Sequence, residues 1–350
     1  MTAELRTGFT TGACAAAAAK AAALVLGGAR DVTAVEIPFP DGTRVDLPVA
    51  FARISEGGAE AAVKKYAGDD PDVTDGALVV ASVARDPSGD VVFAAGEGVG
   101  TVTKPGLQVP PGEPAINPGP RGMIRAAVRE VTPDDLRITV SIPGGRELAA
   151  KTFNPRLGVQ GGLSILGTTG RVRPFSVPAL REALSCALDV ALACGVRAPV
   201  LVPGHIGERA ARRHFVLTDE QVIHVGNEWG FMLSRAAGRN LDRLLLVGHP
   251  GKLAKLADGE WDTHSNRSPA ALDTVCRLAS DLGITLEPGT PTVEGVLEAL
   301  DKEARQQLGS AMARAVRGAV QARVPQSAAV VLVNMKGDWL GSDGDVSPWQ

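Results

Sequence analysis

The sequence predicts a mixed α/β plus α+β chain of two domains. Residues 1–155 form an N-terminal α+β domain on a largely antiparallel sheet, and residues 156–350 a C-terminal Rossmann-like, doubly wound domain. Three observations carry this. A chain of 350 residues exceeds what one core comfortably fills, so length favours two domains. Up to about residue 155, short β-type runs alternate with tight turns. Beyond it the order becomes apolar strand, glycine-bearing turn and helix, several times over.

In the first domain the clearest element is a helix over residues 13–26, nearly all good helix formers, with Thr10 or Thr11 to cap it and Gly27-Gly28 to end it. Runs at 35–39 and 43–49 flank Pro40-Asp41-Gly42 and read as a hairpin with an Asp-Gly turn. The same grammar recurs at 77–84, 86–90 and 91–95, and a further hairpin is expected from 136–142 through Gly144-Gly145 to 147–153. A second helix is expected over 123–131. In the second domain strands are expected at 163–166, 200–202, 222–225, 244–247 and 329–333, and helices at 178–194, 208–214, 228–239 and 305–322.

Hydrophobic residues make up 45%, charged residues 21%, and the net charge is -3, an ordinary globular profile without the polybasic surface that nucleic acid requires. Cys14, Cys186, Cys194 and Cys276 show no C-x-x-C spacing, so neither a zinc knuckle nor a disulfide framework is expected, and a reducing compartment is. The longest apolar run is broken by Lys20 and falls short of the ~20 residues that span a bilayer. It has no basic leader, so no signal peptide and no membrane partner are expected and the location is read as cytoplasmic.

Ligands of doubly wound sheets bind beyond the carboxyl ends of the strands. Four expected strands run into small-residue turns there: Gly167-Thr168-Thr169-Gly170, Gly204-His205-Ile206-Gly207, Gly226-Asn227-Glu228-Trp229-Gly230 and Gly248-His249-Pro250-Gly251-Lys252. Such glycines allow close backbone approach, and the helix N-termini behind them offer free N–H donors. Any one glycine could merely serve its turn; four at one edge point to a crevice. No full G-x-G-x-x-G precedes a helix, and no ribose-gripping acid follows the second expected strand, which disfavours a nicotinamide dinucleotide. Gly96-Glu97-Gly98-Val99-Gly100 follows a hairpin-type strand with no helix after it, so it reads as structural.

Arg171 and Arg173 stand just past the first turn, where guanidinium groups would grip carboxylates, whereas Arg209, Arg212 and Arg213 suit a solvated helix face equally well. His249 with Lys252, and His264 of Asp262-Thr263-His264, offer imidazoles for general acid or base work. No H-x-x-x-H spacing or accompanying acidic pair appears, so no metal is expected, and His214 and His224 read as structural. Asp338 and Asp343 lie in a glycine-rich tail, either a lid or a frayed end.

Five stretches in order resemble the cobalt-precorrin-5B C1-methyltransferase (CbiD) family of anaerobic cobalamin biosynthesis. They are residues 5–16 (LRTGFTTGACAA), 96–117 (GEGVGTVTKPGLQVPPGEPAIN), 161–174 (GGLSILGTTGRVRP), 247–256 (VGHPGKLAKL) and Thr263-His264-Ser265. Phe9 stands where the family has tyrosine, His205 where it has asparagine, and Glu228-Trp229 where a smaller apolar pair is common. The resemblance implies a methyltransferase that moves a methyl group from S-adenosyl-L-methionine to C1 of a cobalt-precorrin rich in peripheral carboxylates.

On that basis Gly167, Thr168, Thr169, Gly170, Gly204, His205, Gly207, Gly226, Asn227 and Gly248 are expected to hold the cofactor, in the second domain. Thr10, Thr11, Lys104, Arg171, Arg173 and Lys252 are expected to bind substrate, and the first domain is expected to be the substrate side. His249 or His264 is expected to manage a proton. A nicotinamide-dependent oxidoreductase and a non-catalytic tetrapyrrole carrier are the alternatives; whether the chain forms a homo-oligomer is left open.

Overall fold

Alanine dictates the first unit. After β1 (Gly8–Phe9), the alanine run becomes α1 (Thr11–Leu26), buried over almost its whole circumference. Thr10 caps it, its hydroxyl accepting from the Ala13 N–H at 3.1 Å. So small a surface lets other chains come close. Ala59, Ala61 and Ala81 of two neighbouring strands are fully buried against it, and a Cβ added at Gly12 would lie 2.8 Å from Pro120 Cγ. The computed structural model describes residues 5–87 and 89–350.

The expected first hairpin is present as β2 (Ala34–Pro38) and β3 (Arg44–Pro48), its turn tied by Thr43 donating to the Asp41 carboxylate. A hairpin not foreseen follows, β4 (Phe51–Ser55) and β5 (Gly58–Lys64). Then come β6 (Leu78–Arg85), β7 (Val91–Ala95), β8 (Thr101–Val102), α2 (Pro118–Arg129), β9 (Leu136–Ser141) and α3 (Gly145–Ala149).

The main sheet runs β4-β5-β6-β9-β7, antiparallel except for the β7–β9 pair. Two expectations are corrected. Residues 77–84 and 91–95 do not pair with each other, because β9 lies between them. The second arm expected at 147–153 begins instead as α3, its Arg-Glu-Leu-Ala segment being a helix former with Glu147 in the first turn.

The glycines of residues 96–100 are structural, as expected, but serve a junction rather than a hairpin. A Cβ added at Gly98 would lie 1.9 Å from Ile142 O; one at Gly145 or Gly162 would lie 2.3 or 2.2 Å from Gly98 O. Three backbone segments meet there with no room for a side chain. β10 (Val159–Gln160) pairs with β8, and β11 (Arg171–Val172) with β1.

The chain divides into units Met1–Ala179 and Leu180–Gln350, so the boundary expected near 155 moves to the start of α4 (Val177–Ala193). The physical reason is that β10 and β11 pair back into the first unit.

The second unit holds β12 (Val200–Val202), α5 (His205–His214), β13 (Val222–His224), α6 (Trp229–Ala237), β14 (Arg243–Gly248), α7 (Pro250–Leu253), α8 (Ala271–Asp281), α9 (Val293–Ala299), α10 (Lys302–Gln321), β15 (Ser327–Val333) and β16 (Trp339–Asp343). Its sheet runs β13-β12-β14-β15-β16, with β16 alone antiparallel. Leu201, Ile223, Leu244, Leu246, Val330 and Leu332 face one core; Val200, Val202, Leu245, Val247 and Val331 face another with Ala210, Phe215 and Trp349. Both faces are therefore covered, which explains the near-continuous apolar runs of these strands.

The order is the 2-1-3-4-5 of a doubly wound sheet, not the 3-2-1-4-5 of the dinucleotide-binding fold, so the α/β class stands without the narrower Rossmann-like description. The tail expected as a lid or frayed end is an edge strand instead, packed on α10. No helix among the described residues is long and apolar enough to cross a membrane.

Two predictions follow from this packing. A Cβ at Gly309 of α10 would lie 2.4 Å from Leu340 O, so Gly309→Ala is expected to cost about 1–3 kcal/mol through overpacking; an unchanged urea midpoint would contradict the close approach. Glu130, at the end of α2, accepts two hydrogen bonds from Arg44 at 2.8 and 3.0 Å and one from Lys20 of α1. Arg44 first, then Lys20, holds its carboxyl at about 2 instead of the ordinary 4.5. A depressed carboxyl adds stability above its unfolded pKa and loses it as pH falls through the folded one. Glu130→Gln should therefore lower stability at neutral pH and flatten the acid dependence of the midpoint between 4.5 and about 2.

Candidate functional site

The carboxyl edge of the parallel sheet gathers three of the four expected turns. β12 runs through Pro203-Gly204 into α5, β13 through Val225-Gly226-Asn227 into α6, and β14 into His249, which caps α7. The fourth turn is not there. Residues 163–166 make only isolated bridges, Leu163 with Val99 and Ile165 with Ile116, inside the first unit. A Cβ added at Gly167 would meet Thr10 at 2.4 Å, and one at Gly170 the Phe39 ring at 2.8 Å, so both glycines serve packing. Thr169 turns its hydroxyl to the backbone of Arg171, and Thr168 is exposed.

The remaining glycines separate by what surrounds them. An added Cβ at Gly207 would lie 2.5 Å from Val247 O, and one at Gly248 would lie 2.9 Å from Pro203, so these two bring β12, α5 and β14 together. Gly204 and Gly226 have nothing within 4 Å of that position, and Gly226 has φ +60°, where glycine is favoured. Open glycines are the ones a ligand can approach.

Residues 261–268 close over the exit of β13. The Thr263 hydroxyl donates to Asn227 Oδ1 at 3.2 Å, the Thr263 N–H donates to Asn227 O, and the Gly230 N–H donates to Trp261 O. Glu228 is only 4% exposed; it accepts from Arg181 Nε at 2.7 Å and lies 3.8 Å from Arg267. With residues 163–166 outside the sheet, Glu228 becomes the acid that follows the second parallel strand, yet Arg181 occupies it. Burial raises the Asp262 carboxyl, but Arg267 and the His264 N–H outweigh this and hold it below the ordinary range.

The two candidate imidazoles differ. His249 Nδ1 accepts from the Gly251 N–H at 2.9 Å, so its ring proton sits on Nε2, which donates to Glu294 at 2.9 Å. Both nitrogens are engaged. His264 Nδ1 accepts from the Asn266 N–H at 3.1 Å, and its Nε2 has no partner among the described residues. Lys252 is half-buried; burial first, then Lys255, pushes its ammonium below the ordinary range. Lys255, which sequence reasoning did not single out, is buried and donates to Ser268 at 2.8 Å.

In the first unit, Thr10 and Thr11 are consumed by structure. Thr10 caps α1, and the Thr11 hydroxyl accepts from the Leu166 N–H at 3.0 Å and donates to Leu166 O at 3.3 Å. Lys104 packs its stem on Gly158. Arg171 lies over the Phe39 ring at 5.0 Å and donates to Thr43, while Arg173 is exposed with no partner among the described residues. Arg212 and Arg213 spend their charge on surface pairs with Glu208, Asp219 and Asp338. His224, expected to be structural, shares Glu208 with His205 at the edge of the sheet.

A family profile described as CbiD matches residues 1–174, and one described as CbiD, C-terminal domain, matches 262–344. A protein named cobalt-precorrin-5B C(1)-methyltransferase from Syntrophotalea carbinolica is 57% identical over 350 residues, 99% of this chain and 100% of that one. This chain belongs to the CbiD family. A protein of the same name from Moorella thermoacetica is 42% identical, with 98% of this chain and 96% of its own covered. A crystal structure of a cobalamin biosynthesis protein (cbiD) from Archaeoglobus fulgidus is 28% identical over 80% of this chain and 85% of that chain, with a TM-score of 0.41.

In this CbiD chain the first profile ends at residue 174, close to the unit boundary after Ala179, and the second opens at Asp262, where the segment covering β13 begins. Arg181 is the cation hydrogen-bonded to a buried carboxylate. Arg181→Ala is therefore expected to lower stability by about 1–3 kcal/mol, read from urea unfolding; an unchanged midpoint would show that Glu228 is satisfied without it.

Proposed function

We propose that this CbiD protein transfers the methyl group of S-adenosyl-L-methionine to C1 of cobalt-precorrin-5B, giving cobalt-precorrin-6A. The observation that carries the reading is the 57% identity to a protein of that name across 99% of the chain, both units included. The sulfonium methyl is already electrophilic and the ring carbon is the nucleophile, so no protein nucleophile is needed. What the protein supplies is alignment in a water-poor site, worth up to about 7–11 kcal/mol.

We assign the methyl donor to the carboxyl edge of the parallel sheet. The fit rests on the open backbone at Gly204 and Gly226, the Asn227 amide beside Gly226 in the chain, and the N–H groups at the start of α5 that no earlier turn accepts from. Gly207 and Gly248 shape that edge by letting β12, α5 and β14 approach each other. Glycines 167 and 170 and the hydroxyls of Thr10 and Thr11 are left out, being occupied by packing and capping.

Peripheral carboxylates of the precorrin are assigned to Arg171 and Arg173, the second of which carries an unspent guanidinium. His264, with a ring nitrogen open, is the residue assigned to proton transfer. His249 holds α7 and Glu294 in place; Glu294 also accepts from the Met335 N–H at 3.1 Å.

The test is mass spectrometry of anaerobic reactions with S-adenosylmethionine and precorrin. One added methyl is expected, with His264→Ala lowering kcat at least tenfold and Asn227→Ala weakening S-adenosylhomocysteine binding in calorimetry. Binding of precorrin without affinity for S-adenosylhomocysteine would make the protein a carrier instead.

A further inference from the structure

Two histidines far apart in sequence share one carboxylate oxygen at the sheet edge. Val202, the last residue of β12, is the register partner of His224 in β13, and the chain leaving Val202 opens α5 at His205. His205 and Glu208 stand at i and i+3 on one face of that helix. Glu208 Oε2 lies 2.8 Å from His224 Nε2 and 3.7 Å from His205 Nδ1. The three donor atoms fall within 4.8 Å of one another, and the two rings stand edge to face at 5.3 Å.

A simple hydrogen bond accounts for the contact between Glu208 and His224. It does not account for His205, whose side chain is 84% exposed yet turns Nδ1 toward that same oxygen. Donors at about 2.0–2.2 Å around a tetrahedral ion stand roughly 3.3 Å from each other. The present spacing closes on an ion with side-chain shifts of roughly 1 Å. Arg212 donates to the other oxygen, Oε1, at 3.3 Å and so keeps Oε2 toward the imidazoles. The carboxylate also offsets the positive end of α5, which would otherwise repel a cation.

We propose that His205, Glu208 and His224 form a binding site for a divalent transition-metal ion of the zinc or cobalt kind. Two imidazoles and one carboxylate suit borderline ions rather than magnesium or calcium. Three protein ligands leave a fourth position open, here on the solvent side, where water or a small anion can exchange. This assigns His205 to the ion, leaves Gly204, Gly226 and Asn227 to the methyl donor, and does not depend on the methyltransferase reading.

The test uses the full untagged chain, with the exposed thiols removed by Cys194→Ser and Cys276→Ser, and no methyl donor present. Zinc is titrated by calorimetry and cobalt(II) by visible absorption. One ion per chain is expected, with the intense d–d bands of four-coordinate cobalt and no thiolate charge-transfer band. His205→Ala removes only an exposed ring, so it should keep the parent circular dichroism and weaken binding at least tenfold; Glu208→Gln should do the same to binding. Non-saturable uptake, a weak six-coordinate cobalt spectrum, or His205→Ala binding as tightly as the parent would each overturn the site.

Discussion

Backbone lies directly on backbone in this protein, and the rest of the architecture depends on that constraint. Aromatics are 4% of the chain, and beside the buried Ile, Leu and Val side chains of its cores several elements meet main chain to main chain. Gly12 of α1, the Gly98–Gly145–Gly162 junction, Gly309 against Gly341 and Gly207 against Val247 are positions where one added methyl would meet main chain or a packed side chain. Dispersion between closely packed atoms there adds to the apolar burial of the cores.

The same constraint changes what a glycine-rich turn means. Glycine at the end of a strand reads as a cradle for a ligand, yet four of the proposed cradle glycines are filled by the protein itself: Gly167 by Thr10, Gly170 by Phe39, Gly207 by Val247 and Gly248 by Pro203. Only Gly204 and Gly226 open outward. Gly204 follows β12 and Gly226 follows β13, and the sheet order reverses between β12 and β14, so Gly204 stands beside that point.

Charge at this edge is arranged to hold shape before it does chemistry. Glu228 is pinned by Arg181, Asp262 by Arg267, and His249 by Gly251 and Glu294. Each pair fixes one segment of the rim. His264 Nε2 is a ring nitrogen at this edge that makes no hydrogen bond among the described residues.

By itself the sequence determined the elements whose signal is local. Alanine propensity located α1, the Asp-Gly turn located β2 and β3, and apolar runs located β12, β14 and β15 within a residue or two. Five ordered motifs pointed to the CbiD family. It did not determine that β9 separates β6 from β7, or that residues 163–174 return to the first unit. It missed β4 and β5 as well, since Ala59, Ala61 and Ala62 carry little strand propensity of their own and are placed by packing against α1. Strand order, the partner of a glycine and the reach of His224 from β13 to Glu208 of α5 are contacts between separate elements. No local pattern encodes them, and only the folded chain decides them.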